Sequence, residues 1–242
     1  MSLLSIIQQA CGRIGVSTPT SVVGNSDSII TQLLALANEE GEELTTGASV
    51  GLSYDWSQLQ TETSFTALAQ ENQGAITTIA PGFRYIINGT IFNRTLRRPV
   101  PGPLPPQSWQ MLRAANVVGP YPQFRIRNGN LILIPNPTAG DSIYFEYQSA
   151  NWCQSASSVG QMAWAADDDT GLLDEQLMTA GLIWRWKKAK NLEYAEDFRQ
   201  YQTRVLNAIA RDGGKTTINI GDQEFVPGVL IVPETFPSLV GH

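Results

Sequence analysis

Between Pro122 and Ser149 apolar and polar residues alternate on both sides of an Asn-Gly pair. In QFRIR, Phe124 and Ile126 fall on one side of an extended chain, and Arg125 and Arg127 on the other. Asn128-Gly129 follows, and a type I′ turn needs positive φ at both central positions, so this pair is a strong hairpin signal. NLILIP returns as a second strand, PNPTAGD turns, and SIYFEYQS continues with Ile143, Phe145 and Tyr147 on one face. The pattern predicts a three-stranded antiparallel meander over 122–150. No all-helical fold accommodates it.

The two ends of the chain carry the other period. Ser2 is placed to cap a helix whose Leu3, Leu4, Ile7, Ala10, Cys11 and Ile14 share a face, with Gly12 and Gly15 weakening or ending it. Asp27 or Ser26 caps a second helix with Ile30, Leu33, Leu34, Ala37 and Leu44 on one face. Glu39, Glu40, Glu42 and Glu43 crowd its last turns, where acids oppose the helix dipole. They read either as a solvated face or as acids held for a partner or an aqueous channel. Later, Leu173, Leu177, Ala180, Gly181 and Trp184 form a stripe closed by Lys187, Lys188 and Lys190. Tyr194, Phe198, Tyr201, Val205, Ala208 and Ile209 form another, and the short Lys190-Asn191 link predicts an antiparallel αα-hairpin.

Between these ends, 56–66 turns β-like, ENQGAITTIAPG reads as a loop, and Gly82–Arg94 fits either a short helix or a strand pair. RTLRRPVPGPLPPQSW, Arg94 to Trp109, is a proline-stiffened connector leading into a short helix with proline in its first turn. Residues 151–171 read as loop. From Thr216 to His242 the chain is too apolar for a solvated tail and too proline-broken for a helix, which predicts an extended arm packed on another subunit or on its own domain. The expected architecture is α+β: helices over 1–55, a β-rich insertion over 56–165, an αα-hairpin over 166–214, and an extended arm over 215–242.

Composition narrows the partners. Charged residues make up 16% of the chain against a usual value of about 25%, and six Trp and seven Tyr suit either a core or an interface. Net charge is −6, distributed as −7 over residues 1–80, +5 over 81–150 and −4 over 151–242. An acidic start and an arginine-rich middle suit head-to-tail contact between copies, and equally an uneven solvated surface. The overall acidity argues against tight nucleic-acid binding. Cys11 and Cys153 make no disulfide framework, the first residues lack a basic leader segment, and no apolar run suggests a membrane helix.

The only histidine is His242, which leaves no histidine for a triad, a zinc site or a general base elsewhere in the chain. Neither common glycine-rich phosphate loop occurs. Asp167-Asp168-Asp169 lacks the spacing of a calcium loop, and Glu39/Glu43 or Glu193/Asp197 are same-face carboxylates of an ordinary kind. No cofactor, metal or catalytic residue is expected. An enzyme using paired carboxylates, such as a carbohydrate hydrolase, is the reading from another class.

One resemblance orders these pieces. DWSQL with TETSFTA, IAPGFRYIINGTIFNRTLRRPVPGPLPPQSWQML, FRIRNGNLILIPNPTAGDSIYFEYQSANWC and DEQLMTAGLIWRWKKAKNLEYAEDFRQYQTRVLNAIARDGG follow an N-terminal helix pair. Over residues 1 to about 214 the chain resembles the head-to-tail adaptor proteins of tailed double-stranded DNA bacteriophages. The resemblance implies a virion structural protein at the head–tail junction, assembled in the host cytoplasm as a ring of typically twelve copies beneath the portal. It implies portal protein and a tail or nozzle protein as partners, with DNA only as a passing duplex. Another tail-completion ring is the nearest alternative. Interface residues expected on this reading are Arg94, Arg97, Arg98, Trp109, Arg125 and Arg127, with Phe225, Leu230, Ile231 and Phe236 of the arm. Glu39, Glu40, Glu42 and Glu43 are expected to face the channel, where like charge lets DNA slide.

Overall fold

The computed structural model describes residues 2–46, 51, 53–115 and 119–212. Among them the fold is α+β, and it has two hydrophobic cores. The expected arm, with Phe225, Leu230, Ile231 and Phe236, lies outside the described residues.

The first core is helical. It draws on residues 3–59 and 152–205. Helix α1 (Leu3–Ile14) begins at Ser2, whose hydroxyl accepts from the Ser5 N–H, and stops at Gly15 with φ 73°. Helix α2 (Ser28–Thr46) starts where the Asp27 carboxylate accepts from the Ile29 N–H at 2.8 Å. Both caps are the ones the sequence supplies.

The β-rich part follows. Strand β1 (Gln60–Thr66) leads to β2 (Asn72–Ala75), the one-turn helix α3 (Ile76–Ile79) and β3 (Phe83–Ile86). The short pair β4 (Phe92–Asn93) and β5 (Arg98–Pro99) precedes α4 (Pro106–Ala115). The hairpin β6 (Gln123–Arg127) and β7 (Asn130–Ile134) turns at Asn128 and Gly129, with φ 50° and 72°, as the Asn-Gly pair predicts. Then comes β8 (Ser142–Ser149). Three two-residue strands, β9 (Cys153–Gln154), β10 (Gly160–Gln161) and β11 (Thr170–Gly171), join into a small sheet inside the stretch expected to be loop.

The predicted meander does not form. Strand β8 leaves the hairpin and pairs antiparallel with β1 over seven positions, from Gln60 opposite Gln148 to Thr66 opposite Ser142. Its other edge carries β3 at one end and β4 at the other. The hairpin has no edge to offer beside β7, because β2 occupies it. β2 comes from the polar stretch NQGA, which carries no apolar alternation. Gly82–Arg94, readable as helix or strand pair, is strand at both ends. The inward faces of both sheets, with Ile86, Val100, Phe124, Leu131, Leu133, Ile143, Phe145 and Tyr147, make the second core.

The last helices, α5 (Glu175–Ala189) and α6 (Ala195–Asp212), form the predicted αα-hairpin. α5 is buried around most of its circumference, since α1, α2 and α6 all pack on it. Small residues allow the close approaches. A Cβ on Gly41 of α2 would lie 2.5 Å from the Trp152 ring, and Trp152 is itself buried against Trp164.

Helix propensity alone would make Gly41→Ala a gain of about 1 kcal/mol. The contact with Trp152 reverses the sign. The variant is expected to lose about 1–3 kcal/mol through overpacking, read as a lower urea midpoint. A higher midpoint would mean that Trp152 does not hold this position.

Candidate functional site

The arginines of the proline connector sit on a strapped hairpin. β4 and β5 place Phe92 opposite Pro99 and Asn93 opposite Arg98. Asn93 is buried; its amide donates to the Asp141 carboxylate at 2.8 Å, and its carbonyl accepts from the Leu96 N–H at 2.9 Å. The Arg94 N–H donates to the Ser142 carbonyl, the Ser142 N–H to the Thr95 hydroxyl, and the Val100 N–H to the Ile91 carbonyl, each at 2.9 Å. These bonds pin the turn to β8 and leave its side chains outside. Arg97 sits at the tip with φ 54°.

The cations differ in what they already hold. The Arg94 guanidinium lies 3.5 Å from the Tyr144 ring centroid and pairs with Glu62 on β1. Both partners of that pair are about half exposed, so it contributes little to stability. Arg98 lies 4.3 Å over Tyr121. Phe92 and Leu96, each 44% exposed, flank them. Behind the hairpin is a groove of about 560 Å³ lined by Phe92, Arg94, Arg97, Tyr144 and two acids, Glu62 and Glu146. Arg125 is half-buried on β6 beside a different groove, and Arg127 is exposed at the other hairpin's end. Arg94 and Arg97 therefore share one groove, and Arg125 belongs to another.

Trp109 corrects an expectation. It is 1% exposed within its own chain, so it is core and not an accessible interface anchor. α4 is otherwise mostly polar and turns this large ring inward, while Met111 faces out.

The glutamates of α2 divide. Glu39 and Glu42 are exposed. Glu40, expected to face a channel, is 1% exposed. Its carboxylate accepts from the Tyr201 hydroxyl at 2.7 Å and lies 3.1 Å from the buried Arg185 guanidinium. Glu43, also expected in a channel, accepts from the same Arg185 at 2.6 Å. Gly181 leaves room for the Glu40 carboxyl, which a Cβ there would overlap at 2.0 Å. Burial raises the Glu40 pKa to about 8, with Arg185 and Tyr201 pulling the other way. Arg185 was not legible as a site residue; its one signal is a cation inside the apolar run GLIWRW.

Two acids of the 167–169 run are engaged in loop closure. The Asp167 carboxylate accepts from the Val22 and Val23 N–H groups, and that of Asp169 from Ala165 and Ala166. Asp197 pairs with Lys187 at 2.5 Å. Among the described residues no group of three or more His, Cys, Asp or Glu could hold a metal ion, and no helix is long and apolar enough to cross a membrane. Cys11 and Cys153 are buried free thiols, and burial lifts Cys153 to about 12. Compared with known proteins, the chain matches no family model and no curated sequence.

Glu40 gives a pH prediction. Its folded pKa lies above its ordinary 4.5, so the native state keeps a proton that the unfolded chain releases. The stability from this group is fully present below about 4.5 and is lost as pH rises through about 8. Glu40→Gln keeps the shape and removes the titration. Urea midpoints across this range should fall in the native chain relative to the Gln variant, the unfolding free energy changing by at most about 1.4 kcal/mol per pH unit. Parallel profiles would show that Glu40 is ionised throughout.

Proposed function

We propose that the protein is a virion structural component, a head-to-tail adaptor that assembles as a ring under the portal, extends the DNA channel and receives the tail. The observation that carries the reading is the exposed arginine–aromatic hairpin at residues 92–99, on a chain whose ordered resemblance to such adaptors runs from residue 1 to about 214. Phe92, Leu96, Arg97 and Arg98 combine apolar area with forked cations, the chemistry that anchors protein interfaces and pairs with carboxylates. The hairpin's backbone is held by β8 and needs no partner for its shape, so it presents a preformed surface. Acidic residues of a neighbouring copy or of the portal are its complement.

Electron microscopy of the protein mixed with portal tests the reading: a ring capping the portal is expected. Binding to tail tube alone would instead favour another tail-completion ring, and a chain that joins neither would end the proposal. Arg97→Ala with Arg98→Ala should weaken that assembly at least tenfold while moving the melting temperature little, since both side chains are exposed.

Of the four glutamates expected at the channel, the exposed Glu39 and Glu42 remain as the acids that a lumen could use. On this reading Glu39→Lys with Glu42→Lys slows DNA ejection from assembled particles, because added cations attract phosphate. Ejection at the native rate would remove these two residues from the lumen.

A further inference from the structure

A third groove, of about 250 Å³, opens where the β1–β8 sheet meets the small sheet of β9, β10 and β11. The two grooves beside the arginines carry charged residues on their walls, and this one carries none. Its polar atoms come from neutral side chains gathered from distant parts of the chain. Gln58 precedes β1, Thr61 lies on it, Asn151 follows β8, Gln154 lies on β9, and Ser158 sits in the turn between β9 and β10. Among the described residues the side-chain polar atoms of these five make no hydrogen bond. The Tyr147 hydroxyl is already committed to the Pro81 carbonyl at 2.9 Å, so Tyr147 offers the groove its ring, beside Leu59 and Leu172.

Asn151 shows that the groove has a fixed shape. Two backbones hold its amide: a Cβ on Gly82 would lie 2.5 Å from Nδ2, and one on Gly160 would lie 2.6 Å from it. The Asn151 backbone N–H donates to the Ser149 hydroxyl at 3.0 Å. The side chain is therefore half-buried and positioned, while its donors and its carbonyl are unspent within the chain. A group that is held away from water with no partner favours whatever can supply one.

We infer that this groove binds a neutral sugar ring. Amides and hydroxyls each supply donors and acceptors, which matches hydroxyls that both give and take hydrogen bonds. The Tyr147 ring, Leu59 and Leu172 supply apolar surface for the C–H side of such a molecule. A phosphate, carboxylate or amine would lose hydration here and meet no opposite charge. The groove is smaller than the roughly 300–1,000 Å³ of pockets for drug-sized ligands, so it suits a single ring. Glycoside cleavage uses a pair of carboxylates, and this wall has none, so the site holds the sugar and leaves it intact. The inference does not depend on the adaptor reading.

Two-dimensional NMR of the full chain, titrated with glucose, galactose and N-acetylglucosamine, tests it. At least one of the three is expected to shift the side-chain amides of Gln58, Asn151 and Gln154 with a Kd of about 1 mM, while inorganic phosphate leaves them in place. Gln58→Ala and Gln154→Ala should each weaken that binding about fivefold. Gln58 is exposed, so its variant should melt with the native chain, which separates lost binding from lost folding. Retention on cellulose or chitin, released by the free sugar, would assign the site to a polysaccharide; binding in solution without retention would assign it to the free sugar. No shift with any of the three sugars well above that Kd would overturn the inference. So would equal shifts with phosphate, or sugar binding that both substitutions leave unchanged.

Discussion

One cation inside the helical core sets the terms for the elements around it. Arg185 is buried in the middle of α5, the helix that α1, α2 and α6 enclose, and an unpaired charge there would cost several kcal/mol. α2 supplies Glu40 and Glu43 to it, and α6 supplies the Tyr201 hydroxyl to Glu40. The helices are thereby fixed in rotation as well as in position, because an apolar contact tolerates sliding and a buried hydrogen-bonded cluster around a cation does not. Gly181 exists in this scheme as the space the carboxyl occupies.

The same cluster explains a feature that looks unfavourable along the chain. Acids in the last turns of α2 oppose its dipole. In the fold two of them, Glu40 and Glu43, face Arg185, and side chains from elsewhere serve the helix end. The Trp56 indole N–H donates to the Leu44 carbonyl at 2.8 Å, and the Arg84 guanidinium donates to the Thr45 carbonyl at 3.3 Å. Carbonyls that a helix leaves unpaired at its C-terminus are thus satisfied through tertiary contacts.

What was legible depended on how local its cause is. Ser2, Asp27 and Gly15 mark helix ends because a cap involves residues two to four apart. Asn128-Gly129 marks its turn because two positive φ values are a property of those two residues. Which sheet receives β8 is not a local matter. It depends on β2 claiming the edge of β7, and NQGA has no pattern that announces this. The candidate sites divide along the same line. Arg94, Arg97 and Arg98 are exposed as their proline-rich setting suggests, whereas Trp109, Glu40 and Glu43 have identities that fit a surface and positions that only packing decides. Tyr144, Tyr121 and Glu62, which hold the arginines, are distant in sequence and carry no signal of that role.

The β-rich part begins at Trp56 and returns at Trp152, and both rings meet α2 within one turn of each other: Trp56 at Leu44 and Trp152 at Gly41. Arg84 adds a third contact at Thr45. A pull on the arginine hairpin passes into β8, divides between the two chain crossings, and arrives at the same short length of helix. The two crossings act in parallel, so neither carries the whole load, and the module resists being peeled from the bundle at one corner.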